Sequence, residues 1–122
     1  MHAERHTVTV TTNADGDGTG YTPPVTGRIV SIVYEKVDFA NGVDVTITAE
    51  ATGETIWAEE NVNASTKRAP RQATHSTAGV AALYAAAGQP VLDEIVVAND
   101  RIKVVVAQGG NVKSGKFHVI MG

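Results

Sequence analysis

Cysteine is absent from this 122-residue chain, which excludes a disulfide framework, a thiolate metal site and a cysteine nucleophile. Also absent is any run of about 18 apolar residues, the length a membrane-spanning helix requires. Aromatic side chains are scarce, with one Trp, three Tyr and two Phe, and they lie too far apart in sequence to suggest a stacking platform for sugars. No G-x-S-x-G elbow and no phosphate-binding loop occurs, and the spacing of the carboxylates singles out no acid–base pair. Met1–His6 contains no apolar leader stretch, so export by an N-terminal signal is not expected. A net charge of -3 is too small to point to a nucleic-acid or membrane partner. The expectation is a single soluble domain over residues 1–122 with no enzyme activity and no cofactor. A chain of this length buries roughly two-thirds of its unfolded surface, enough for a core without staples.

Charge is missing locally as well. Asn61 to Leu92 contains no Asp or Glu but holds Lys67, Arg68 and Arg71. Val37 to Glu60 has the opposite bias: Asp38, Asp44, Glu50, Glu54, Glu59 and Glu60, with no Lys or Arg. An all-β domain has no structural need for a connector this long, and loops beyond about 12–15 residues are usually functional or disordered. The connector, residues 61–90, is therefore the expected contact region.

The rest of the chain reads as short strands. Thr7 to Thr11 alternates polar and apolar β-branched residues, the period of a half-buried strand. Asn13 to Gly20 is rich in glycine and acid and reads as a turn. Gly27 to Tyr34 is a nearly continuous β-branched run suited to a central strand. Val43, Val45, Ile47 and Ala49 share one face of the next strand, which turns at Ala51-Thr-Gly53 into Glu54–Ala58. Val91–Ala98, Arg101–Ala107 and Lys116–Met121 complete about seven strands, spaced as in a sandwich or barrel. Ser76 to Gly88 is ambiguous. Its alanines, with Val80, Leu83 and Tyr84 at i, i+3 and i+4, suit a short helix, and an irregular segment or an extra strand fits equally.

Possible sites each have a plainer alternative. Asn13, Asp15, Asp17 and Gly18 match the opening of a calcium loop, but Pro24 stands where the closing glutamate belongs, so a turn tip is the simpler reading. Of His2, His6, His75 and His118 only the first two stand at i, i+4, and one such pair in the N-terminal segment falls short of the several convergent ligands a zinc site needs. Asn63-Ala-Ser65 fits a glycosylation sequon, with no export signal to give it meaning. Lys67-Arg-Ala-Pro-Arg71 is too short and too poor in aromatics for a nucleic-acid footprint. Trp57 reads first as core, and second as a contact anchor beside Glu59-Glu60.

Four segments, Gly20–Ile29, Asp38–Asp44, Ala51–Trp57 and Ile95–Ile102, give the chain a further character. In them it resembles the small structural proteins of tailed-bacteriophage heads, the decoration or cement subunits beside the major capsid protein. The resemblance implies a jelly-roll-like antiparallel β-sandwich in the virion, made in the host cytoplasm, that oligomerises on the shell. The implied partners are the major capsid protein and copies of itself, with no catalysis, nucleic acid or membrane. Neck or tail components share this style, and a ligand-binding β-sandwich is the alternative from another class. Lys67, Arg68, Arg71 and His75, with Val80, Leu83, Tyr84 and Trp57, are the expected contact residues. The acidic 37–60 and basic 61–92 segments are expected to pair between neighbouring subunits, and residues 1–6 to form an arm that orders on binding.

Overall fold

A computed structural model describes residues 2–122 as ten antiparallel strands in two sheets. In chain order they are β1 (Glu4–Thr11), β2 (Gly18–Tyr21), β3 (Val25–Lys36), β4 (Asp44–Ala49) and β5 (Thr55–Glu59). They continue with β6 (Thr66–Arg68), β7 (Arg71–Ala73), β8 (Leu92–Asp100), β9 (Ile102–Ala107) and β10 (Ser114–Met121). One sheet runs β1-β10-β3-β8-β7, with β6 also on β3, and the other runs β2-β9-β4-β5.

The order follows from rolling one double ribbon. β1 pairs β10 while β2 pairs β9, then β3 takes the far side of β10 while β4 takes the far side of β9. This is the jelly-roll arrangement of an eight-stranded sandwich, with β6 and β7 as additions in the crossing from β5 to β8. The alternation that marked the strands becomes the core. Val8 and Val10, Val45 and Ile47, Val104 and Val106, and Phe117 and Val119 all point inward and are buried. Each such side chain contributes about 1.5–3 kcal/mol on burial. Tyr34 stacks on Phe117 with centroids 5.0 Å apart, and the Trp57 ring meets Phe117 edge-on at 6.5 Å.

One expectation changes, and of the alternatives for residues 76–88 the irregular one is found. Glu4, Arg5 and His6 belong to β1 and pair with Met121, Ile120 and Val119, so the second half of the expected arm is part of a sheet; Met1 lies outside the described residues. Residues 76–88 form no helix. Two turns replace it, tied by hydrogen bonds from Ser76 N–H to Val80 O (2.8 Å), Ala82 N–H to Thr74 O (2.9 Å) and Tyr84 N–H to Gln89 O (3.1 Å). The pairing of Thr74 with Val91 (3.0 Å) closes the segment at its base, and Ala87 at φ 56 bends away from helical geometry.

Candidate protein-contact surface

The connector leaves the sandwich at Glu59 and first attaches itself to the sheet. β3 is long enough to hold two partners on one edge: Val25–Ile29 pairs with β8, and Ile32–Tyr34 pairs with β6. Between them β3 bulges at Val30, where Ser31 and Ile29 oppose the consecutive residues Ile120 and Met121. A bulge leaves backbone groups without ladder partners. Here the Arg71 guanidinium donates to Val30 O at 3.2 Å and to Pro70 O at 2.8 Å, closing that gap.

Arg68, at the end of β6, is committed to the fold. It donates to Glu59 through Nε (2.9 Å to Oε1) and Nη2 (3.0 Å to Oε2), and through Nη1 to the Thr66 hydroxyl at 2.7 Å. The Trp57 indole N–H donates to the same Glu59 carboxylate at 3.1 Å, and the Arg68 guanidinium carbon lies 5.9 Å from the Trp57 ring centre. The donors on Arg68, then the one on Trp57, hold the Glu59 carboxyl below the usual carboxylate range. The acidic and basic blocks thus have one meeting point, Glu59 with Arg68, inside a single chain. Trp57 is only 7% exposed, a core ring with its polar edge used locally.

Beyond β7 the character changes. From Gln72 to Leu92 there is no Asp, Glu, Lys or Arg, and no residue of this stretch is buried. The segment is a lobe held by its own backbone bonds that adds nothing to the core. Val80 is 65% exposed, Leu83 42% and Tyr84 76%; His75 is exposed beside them, bridged to Ala81. Leu92, at 51% exposure, and Val96, at 58%, stand on the outer side of β8 with Glu94 between them. Large apolar side chains left exposed on one segment mark a contact candidate. Of the residues expected at a contact, the structure therefore groups His75, Val80, Leu83 and Tyr84 in the lobe. Lys67 lies exposed on the adjoining sheet face, and Arg71 is exposed there too while its Nη1 donates to Val30 O; Arg68 and Trp57 bond Glu59 locally. Leu92 and Val96 were missed because their strand supplies core residues with its alternate positions.

The remaining loops hold their own turns. The Asn13 side chain accepts from Asp15 N–H (2.9 Å) and Asp17 N–H (3.1 Å), which makes the acidic tip an Asx turn. Among the described residues no three His, Asp or Glu side chains converge on a metal position.

No family model and no curated protein matches the sequence. Solved structures that overlap it include the extra small virus particle of the giant freshwater prawn Macrobrachium rosenbergii. There the identity is 9% and the TM-score 0.37, over 98% of this chain and 78% of that one. Another is an exo-β-1,3-galactanase from Phanerochaete chrysosporium bound to galactose, with 12% identity and a TM-score of 0.35 over 97% of this chain and 27% of that one. Overlaps this loose assign neither a family nor an activity.

Proposed function

We propose that this chain is a non-catalytic virion component, a jelly-roll module of a tailed-phage head that binds the major capsid protein and reinforces the shell. One observation carries the reading: a 21-residue uncharged lobe (72–92) projects Val80, Leu83 and Tyr84 into solvent and buries none of its own residues. Building and ordering such a segment has an entropic cost that its own contacts do not offset, so its return lies in a partner. Exposed aromatic and aliphatic side chains on a rigid scaffold are the usual anchors of protein interfaces. The resemblance of four segments to phage head proteins supports the same reading, with the major capsid protein as the proposed partner.

The test is co-sedimentation of the purified protein with capsid shells that lack it. The wild type is expected to pellet with the shells, and a Leu83→Asp/Tyr84→Asp double variant to stay in the supernatant with an unchanged melting curve. A double variant that still pellets, or a wild type that never does, overturns the proposal.

A further inference from the structure

The outer face of the six-stranded sheet gathers charge that the sequence disperses. Alternation places Arg5 on β1, Lys116 on β10, Arg28 on β3, Lys67 on β6 and Arg71 on β7 away from the core. All five are exposed. Only Glu35 and Glu94 share that outer face on the same strands; Glu94 faces Arg28 at 4.0 Å and pairs across strands with Arg71, while Glu35 pairs with Lys116. Between these charges lie Val33, Ile120 and Val96, half-buried or exposed. The face thus has apolar patches among cations, the anatomy of a protein interface.

The chain as a whole is acidic, with 13 Asp and Glu against 10 Lys and Arg. With five cations gathered on one face, the remaining surface is strongly negative. On the outer side of the other sheet, a shallow recess of ≈ 400 Å³ is floored by Ala58 and Ala107 and edged by Asp44, Glu59 and Glu60. Glu59 already holds Arg68, and Asp44 accepts from the Asn61 N–H at 3.1 Å. Glu60 is exposed, and no hydrogen bond or ion pair engages its carboxylate among the described residues.

We propose that the cationic face of the six-stranded sheet docks onto the acidic recess of a second copy of this chain, making a head-to-tail contact. Two different surfaces meet in such a contact, so it repeats from copy to copy and yields closed rings or open filaments. A nucleic acid fits the cationic face less well, because Glu35 and Glu94 would stand against its phosphates. The contact uses neither the lobe nor its residues, so it stands or falls apart from shell binding.

Charge reversal on either side supplies the test, read by sedimentation of the full chain at low and high salt. The wild type is expected to associate at low salt and to dissociate at high salt as the charges are screened. Lys67→Glu/Lys116→Glu alone and Glu60→Lys alone are each expected to sediment as the 12.7 kDa monomer with native circular dichroism. Mixing the two variants restores association, because each then offers the surface the other requires. A wild type that stays monomeric at every salt concentration overturns the proposal. So does reversal without effect, a mixture that stays monomeric, or a face that binds DNA while the protein does not self-associate.

Discussion

The carboxylate of Glu59 is held by the Arg68 guanidinium through two hydrogen bonds of 2.9 and 3.0 Å. That pair ties the last residue of β5 to the last of β6 and so fixes the root of the connector. Because Arg68 and then Trp57 lower the Glu59 pKa, the stabilisation is complete above the carboxylate's unfolded value of about 4.3. It is lost as pH falls through the lower folded value. Trp57 is the sole tryptophan and bonds the same carboxylate, so its fluorescence reports the change. A fluorescence transition below pH 4.3 is expected in the wild type and is absent in Glu59→Gln. An identical acid transition in the variant would remove Glu59 as its source.

Tyr34 presents the opposite case, a polar atom without a partner. Its ring is fully buried against Phe117, and its hydroxyl has no hydrogen-bond partner among the described residues. Tyr34→Phe keeps the stacking and removes the orphan group, so a gain of about 1 kcal/mol and a higher melting temperature are expected. Burial raises the phenol pKa. The stability tied to its neutral form is therefore complete below the unfolded value of about 10 and lost as pH rises through the folded one. Tyr34→Phe is expected to flatten that alkaline loss in a thermal-melt series. A variant that melts lower would mean the hydroxyl has a partner in solution.

Gly20 lies where β2 passes beneath β1. A Cβ there would come within 2.6 Å of Val8 Cγ1 and 3.1 Å of Val10 Cγ2, both core side chains. Gly20→Ala is expected to cost about 1–3 kcal/mol by overpacking, measured by urea unfolding. An unchanged midpoint would show that the two layers can separate freely at this corner.

The same glycine shows where sequence reading stopped. The alternation of Val43 to Ala49 marked β4 correctly, and the runs at 27–34, 101–107 and 116–121 marked their strands. Gly18-Thr-Gly20 looked like part of a turn, because glycine in a strand carries no periodic signal. Only the closeness of Val8 and Val10 explains it. The charge blocks were visible, but their meeting in one chain depends on how the connector folds back along β3. The cationic face was invisible for a related reason: its residues come from five strands spread between Arg5 and Lys116.

The lobe can be removed cleanly. Thr74 and Val91 already face each other across a 3.0 Å backbone bond, so an Asn-Gly turn in place of residues 75–90 would close β7 onto β8 as a hairpin. A folded protein with stability within about 1 kcal/mol of the wild type is expected, since no buried side chain is lost. Loss of cooperative unfolding in this deletion would show that the lobe supports the sandwich.

Ile29-Val-Ser-Ile-Val-Tyr34 is a six-residue, uncharged, β-branched run without Pro or Gly, the composition that stacks into fibrils when an edge lies open. β10 covers one edge of this run, and β8 reaches only as far as Ile29 on the other. Three residues of the connector, Thr66 to Arg68, cover Ile32 to Tyr34, and Arg71 caps Val30 O between the two partners. β6 is thus a guard strand: it keeps the interior of one copy from becoming a template for the next.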